Sequence, residues 1–524
     1  MIHDLEKEAS ASGIEPPVCV IGAGTAGLAL AQALAERGVD VALIEAGPAI
    51  AAVREATPEL VFDRAEYRGA TLGRAFGFGG TSTIWGGQLL PIAKDDLGPR
   101  EGVPAWPLGY EDFSRHFQEV ESWLGVDAGS FDLGEAMPDH PVAQLQCAPF
   151  FPRLSKWIGF GRRNFARLME ERCRQPGVDV WINAQAVEWE VAAEEAGFRI
   201  AGVIAASPSG HRLRVRPKRV VIAAGALESA RLLADLQAQT GCLASETSQS
   251  IGRFLHDHLS LRLARVRVRD RRRFGELFAP LFSGNTMRTL KLELSGAAAW
   301  SRDLPSLYLH CVAEAPEGSG FAVVRDVFRG FQRGDFRSSA RALLGLPRAV
   351  PGLVELAFWR YFRKRLVFPA GAPVFLHADF EQPARWENRV YSAATEDSAG
   401  RGEFHVDWSL AGEPESVAAR LAPWVRDFWS ANGLDEVAEL EFLPEEAGIH
   451  NLYDIFHPAG TTRMAAAPNA GVVDPNLKIH GIDNTYVLST SVFPSLGSAN
   501  PTFTLLALAI RLANRLAETF QRVH

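Results

Sequence analysis

Two dipeptides near the C-terminal end carry the clearest chemical suggestion in this chain, His457-Pro458 and Asn500-Pro501. Pro458 biases His457 toward extended backbone, so the imidazole projects from a turn instead of lying along a helix face. With an ordinary pKa near 6.5 such a side chain is the natural base for taking a hydroxyl proton close to neutrality. A structural histidine satisfied inside a polar turn is the competing reading. Asn500, followed by Pro501 at the first helical position, reads as the cap of a helix over Thr502 to Leu516, and backbone context does not fix where its amide points.

The elements that must position these groups begin at the other end of the chain. Val18 to Ile21 reads as a buried strand, Gly22, Gly24 and Gly27 follow in G-x-G-x-x-G spacing, and an Ala/Leu-rich helical stretch runs to Gly38. A second strand, Val41 to Ile44, ends in Glu45. The first two glycines let the backbone turn close to a pyrophosphate, the third lets helix pack on strand, and the helix N-terminus faces the phosphates. Glu45 would accept from ribose hydroxyls. This pattern predicts a dinucleotide site without separating NAD from FAD. Gly79 to Gln88 adds a loop in which Gly80, Thr81, Trp85 and Gly86 could approach a flat ligand, with an ordinary glycine-rich surface turn as the alternative. Val178 to Gly225 shows short β-like runs, the last ending in Ala223, Ala224 and Gly225 before a helical stretch, a third unit for a doubly wound sheet.

With 524 residues the chain exceeds one hydrophobic core, so two domains are expected. A hydrophobic share of 47% and a charged share of 22% fit a globular protein. The net charge of -8 gives no global basis for holding a polyanion, which excludes nucleic acid from the expected partners. Five scattered cysteines without C-x-x-C spacing argue for reduced thiols, and MIHDLEKEAS lacks the basic and apolar regions of a signal peptide. A cytoplasmic protein is the expectation.

As an ordered set these blocks resemble the glucose-methanol-choline (GMC) flavin oxidoreductases. The resemblance lies in Gly22 to Gly27 with Glu45, the GGTSTIWGG loop, VVIAAGALESARLL, GRFLHDH (Gly252 to His258), EQPARWENRV (Glu381 to Val390) and the tail from His457 to Leu508. It implies an α/β fold with an α+β insert: a Rossmann-like FAD-binding domain of the glutathione-reductase-like class, interleaved with an antiparallel-sheet substrate domain. The expected boundaries are 1-100, 160-260 and 450-524 for the flavin domain, and 101-159 and 261-449 for the substrate domain. The resemblance also implies FAD as cofactor, with contacts from Gly22, Gly24, Gly27, Glu45, Gly80, Thr81, Trp85, Gly86, Val187, Ala224, Ser489, Pro501 and Thr502. His457 and Asn500 would form the catalytic pair. The Gly80 to Trp85 run and the GSANPTFT tail look most like the pyranose-oxidase side of the family, whose flavin-linking histidine is replaced here by Ile84. Non-covalent FAD is therefore expected. Ser489 departs from the acidic residue that many members carry there, which leaves that contact open.

The implied activity is oxidation of a CH-OH group, leaning to a sugar or glycoside hydroxyl. Aromatic, aliphatic or natural-product alcohols are the alternative, as are a GMC-type lyase and a non-catalytic flavin-binding electron-transfer partner. Oxygen, a quinone or a protein would take the electrons. His256 and His258 flank Asp257, but no further metal ligand is evident nearby, and the segment reads as structural. His377 and His405 lie in alternating runs that could line a substrate cavity or simply pack.

One block remains. Between 321 and 369 ten cations against three carboxylates leave +7, with Arg325, Arg329, Arg333, Arg337 and Arg341 every fourth residue and aromatics interleaved. This predicts one or two basic amphipathic helices over the substrate domain. A solvated face, a membrane-surface or partner patch, and a lid over the substrate entrance are the three uses it could have.

Overall fold

The computed structural model describes residues 1-8, 11-52, 60-100, 102-195, 197-316, 319-369, 371-396, 402-410, 413-444 and 452-521. A six-stranded parallel sheet has the spatial order Ile2–Asp4, Val178–Ile182, Val41–Ile44, Val18–Ile21, Arg219–Ile222 and Thr485–Val487. Three well-separated parts of the chain thus meet in one sheet, and Ile21 has Ile44 on one side and Ile222 on the other. Both faces of the central strands are covered, so Val18–Ile21 and Val41–Ile44 are apolar runs without a polar alternation. Helices Thr25–Glu36 and Pro501–Gln521 pack together over the sheet, and nearly every apolar residue of both is buried.

The first strand-to-helix turn depends on two close approaches. Gly22 sits at φ +106°, where side chains are rarely tolerated. A Cβ on Gly27 would lie 2.0 Å from the Gly22 carbonyl oxygen, so the helix can seat on the strand only without one.

The second sheet is antiparallel, with the path Ala438–Phe442, His258–Val268, Val374–Glu381, Leu307–Ala313, Thr286–Leu294, Phe151–Trp157 and Gln88–Leu89. Its register pairs Ser260 and Tyr308 with Asp379, Glu293 with Tyr308, and His310 with His377. Residues two apart share a face, so these polar groups line one side of the sheet. Leu259, Leu261, Leu292, Leu309, Ala378 and Phe380 line the other, in a core shared with Phe428 and Trp429 of helix Glu413–Ala431. The polar side is buried too: Lys291, Glu293, Tyr308, His377 and Asp379 are all shielded from solvent. It faces protein instead of water.

The basic block folds as three helices, Gly320–Arg333, Phe336–Leu343 and Leu346–Phe362, where one or two were expected. The regular arginine spacing runs through a break: Gly334 turns left-handed at φ +78°, and Asp335 caps the next helix by accepting from the Ser338 amide at 3.0 Å. The side chains of Phe336 and Arg348 lie outside the described residues. Among the described residues no helix is long and apolar enough to cross a membrane.

Gly27→Ala should cost about 3 kcal/mol or more, because the clash is with backbone and the overpacking has no flexible side chain to absorb it. Urea unfolding of the two proteins side by side checks this; an unchanged midpoint would contradict the packing described.

Candidate active site

A cleft opens where the parallel strands end. Gly22, Gly24, Glu45, Gly80, Thr81, Ala224, His457, Ser489, Pro501 and Thr502 line it, ten of the fifteen site residues expected from sequence. Three helices begin on its wall, at Thr25, Gly225 and Pro501, and direct their amide ends into it. A Cβ on Gly24 would meet no protein atom within 4 Å; the space belongs to the cleft. A glycine wall facing several helix N-termini fits the pyrophosphate of a dinucleotide.

The other five residues stand back from the wall. Gly27 seats the helix. Trp85 turns its ring to Phe165, and its Nε1 donates to the Arg163 carbonyl at 2.8 Å. A Cβ on Gly86 would touch the Trp157 ring at 3.6 Å. Gln185 and Ala186 form the wall where Val187 was expected, and the Val187 carbonyl accepts from Gln239 at 2.9 Å. Asn500 lies beside the cleft, discussed below.

Glu45 does more than border the cleft. Its carboxylate accepts from the amides of Ala23 (2.8 Å), Gly47 (2.9 Å) and Gly77 (3.1 Å), tying the first turn to the loop that precedes Gly79. Ser489 caps a short turn by accepting from the Ser491 amide at 3.1 Å, and its hydroxyl contacts Ser229.

His457 meets His258, from a segment whose sequence reads as structural. Its Nδ1 lies 3.1 Å from Nδ1 of His258, whose Nε2 lies 2.8 Å from the Gly497 carbonyl oxygen. That carbonyl can only accept, so His258 Nε2 carries a hydrogen and its Nδ1, in the neutral ring, carries none. His457 Nδ1–H must then be the donor to His258, which leaves His457 Nε2 with a free lone pair. Burial, reinforced by His258, pushes the His457 pKa down to about 3. Burial lowers that of His258 as well. Both rings are neutral at ordinary pH. Asp257 holds the pair in place: its carboxylate accepts from the amides of His457 (2.7 Å) and His258 (2.6 Å) and from the Tyr67 hydroxyl. Burial and the neighbouring Asp454 push its own pKa up.

Asn500 is held by groups to which its sequence neighbours do not point. Its side-chain oxygen accepts from Gln88 Nε2 at 2.6 Å, and it is hydrogen-bonded with Gln88 to the Tyr308 hydroxyl. Tyr308 is in turn bonded to Asp379. Burial alone would push the Asp379 carboxyl up, but His310, Lys291 and Ser260 hold it below the usual carboxylate range. Lys291 Nζ lies 3.0 Å from His310 Nδ1 and 4.2 Å above the Tyr308 ring, and burial pushes its pKa down to about 8. His377 belongs to this wall, 3.1 Å from the Ser260 hydroxyl. His405 does not: it pairs with Asp63 and stacks on Tyr391 in a separate small sheet.

The turn before Asn500 is held by three buried carboxylates. Glu381 accepts from the Gly497 amide at 2.8 Å, Asp96 from the Ser498 amide at 3.1 Å, and Glu293 from the Ser498 hydroxyl. Arg100 and Arg153 pair with Glu381 and Glu293 respectively. None of Gln88, Tyr308, Asp379 or this cage was expected. The alternation in HLSLRL, LYLHCVA and VFLHADFE carries the signal, once the polar positions are read as facing a second domain and not water.

A Rossmann-type flavoprotein fold with an antiparallel-sheet partner domain is the class these features define. Comparison with known proteins agrees. Residues 17–60 match the FAD dependent oxidoreductase family and residues 384–509 the GMC oxidoreductase family. A C-glycoside 3-oxidase of Arthrobacter globiformis is 27% identical over 134 residues, 25% of this chain and 24% of that protein. The stretches matched in curated relatives span from 9% to 30% of those proteins' lengths. Formate oxidase of Aspergillus oryzae shares the fold with a TM-score of 0.58 at 14% identity, over 98% of this chain and all of that one. Pyridoxine 4-oxidase of Mesorbium loti does so with a TM-score of 0.55 at 17% identity, over 95% and 99% of the two chains. Two separate segments of the chain thus match the GMC and the FAD dependent oxidoreductase families, and its cofactor is FAD.

Asp257→Asn replaces a buried acceptor of three hydrogen bonds by a group that accepts fewer and adds an unwanted donor. A loss of about 1–3 kcal/mol is expected. Thermal unfolding of the flavin-loaded protein checks it, and a variant as stable as the parent would show that Asp257 does not organise this turn.

Proposed function

We propose that the protein oxidises the CH-OH group of a small molecule to a carbonyl, with a sugar or glycoside hydroxyl as the favoured substrate class and a separate electron acceptor. The observation that carries this reading is the neutral His457 whose Nε2 lone pair is left free by the hydrogen-bond chain through His258 to the Gly497 carbonyl. FAD, held by the glycine wall, the helix ends and Glu45, supplies a hydride acceptor. His457 takes the hydroxyl proton at Nε2. Asn500, supported by Gln88 and Tyr308, receives the substrate oxygen, and the turn caged by Glu381, Asp96 and Glu293 fixes its position. Ile84 offers no nucleophile for a covalent flavin link, so FAD is bound non-covalently in this reading. The C-glycoside 3-oxidase match supports the sugar lean.

Anaerobic mixing of the flavin-loaded protein with a panel of sugars, glycosides and simple alcohols tests this. Bleaching of the flavin absorbance is expected with at least one of them. His457→Ala should slow that bleaching by about 10²–10⁴-fold, the usual worth of a positioned base. Product cleavage without bleaching would assign a lyase instead, and turnover untouched by His457→Ala would remove His457 from the chemistry.

The pH profile follows from the neutral pair. Only unprotonated His457 can act as base, and its pKa is pushed down to about 3. kcat/KM should therefore stay level as pH falls through 6.5 and drop only well below that value. An acid limb centred at 6.5 would contradict it.

His258 acts through His457 and is a positioning residue. His258→Leu should lower kcat by about 10²-fold, the scale of a misplaced catalytic group. His258→Gln can still donate to the Gly497 carbonyl and accept from His457, so it should recover most of that loss. Equal activity of the two variants would show that the tautomer relay is not used.

A further inference from the structure

We infer that the three-helix block at 320-362 is a peripheral docking surface for an anionic lipid bilayer. The first observation is exposed apolar bulk. Leu344, Val354, Tyr361 and Phe362 are 82%, 65%, 75% and 78% exposed, values a soluble helix face has no reason to carry. These side chains protrude from the second helix end and along the third, as knobs and not as the lining of a groove.

The second observation is the charge around them. Arg333, Arg337, Arg341, Arg363 and Lys364 are exposed, and among the described residues none of them forms a salt bridge. The carboxylates of the block are engaged elsewhere: Asp326 pairs with Arg325, Asp335 caps a helix, and Glu355 pairs with Arg271 of the body at 3.0 Å. Residues 321–369 carry a net +7 within a chain of net charge -8.

Cations interleaved with protruding aromatic and aliphatic side chains match a lipid headgroup layer, where phosphates meet the cations and acyl chains meet the apolar groups. A second copy of this chain is a poor occupant. A two-fold interface would place two such cationic faces against each other. The contact would be peripheral, since no described helix can span a bilayer.

The block is firmly joined to the flavin side of the molecule. Gln332 donates to the carbonyls of Ser82 (3.3 Å) and Trp85 (3.0 Å), Asn164 donates to the Gln332 carbonyl at 2.9 Å, and Phe160 stacks on Phe328. Its far end is pinned by the Phe282 amide donating to the Lys364 carbonyl at 2.8 Å. Docking would hold the Gly79 to Gly87 loop close to the membrane surface, where a lipid-dissolved substrate or electron acceptor is found.

The test is flotation of the flavin-loaded full chain with phosphatidylcholine vesicles, with and without phosphatidylglycerol. Binding is expected only with the anionic vesicles, and it should weaken as salt is raised. Combined Arg333→Glu, Arg337→Glu and Arg341→Glu should weaken binding by roughly fivefold or more for each charge. Leu344→Ser with Phe362→Ser should weaken it severalfold while charge is unchanged. Flavin absorbance confirms that each variant folds. No binding at low salt, equal binding to neutral vesicles, or binding indifferent to both sets of variants would overturn the inference. So would a dimer in sedimentation velocity that Leu344→Ser disperses, which would give this face to a second copy.

Discussion

Buried carboxylates that accept from backbone amides of glycine-rich turns are the interaction on which the rest of this structure depends. Glu45 gathers Ala23, Gly47 and Gly77; Asp257 gathers His258 and His457; Glu381 and Asp96 gather Gly497 and Ser498. A carboxylate out of water is costly unless its lone pairs are filled, and a loop amide out of water is costly unless it has an acceptor. Each of these groups answers both needs at once. Because the amides come from different parts of the chain, every such hub is also a tie between segments that share no secondary structure.

This explains how two unlike sheets can share a site. The parallel sheet supplies helix ends and a glycine wall, which suit phosphates but offer no base. The antiparallel sheet turns its polar face, Ser260, Lys291, Tyr308, His377 and Asp379, toward the side on which Tyr308 meets Gln88 and Asn500, and keeps its apolar face for its own core. Joining the two excludes water from the contact. That exclusion is what lowers the pKa of His457 and His258, and it makes the hydrogen-bond chain to Gly497 decisive for which nitrogen keeps a free lone pair.

Much of the cofactor side is legible in sequence, because its determinants are local. Gly22, Gly24, Glu45 and Ala224 lie in strand-turn-helix units whose geometry is set within a few residues. His457 and Pro501 are equally readable from the proline beside or at each. Less legible are residues placed by strand pairing. His258 has no partner among its sequence neighbours, and the wall is formed by Gln185 and Ala186, two and one positions before Val187. The arginine repeat in the basic block suggested fewer helices than the three found, since Gly334 and Asp335 interrupt the period without disturbing the charge pattern.

The sequence by itself determined the dinucleotide cradle and set a histidine and an asparagine beside prolines near the end of the chain. Short-range rules suffice there: two-residue and 3.6-residue periods, and the few conformations open to glycine and proline. Only the tertiary structure decided what those groups can do. His258 and His457 are 199 residues apart, as are few pairs that sequence rules can join, and their contact selects the tautomer. Asn500 meets Gln88 from 412 residues away, a partner that no local rule could name. Protonation, tautomer and side-chain direction depend on burial and on partners, and neither exists until the sheets have closed on each other.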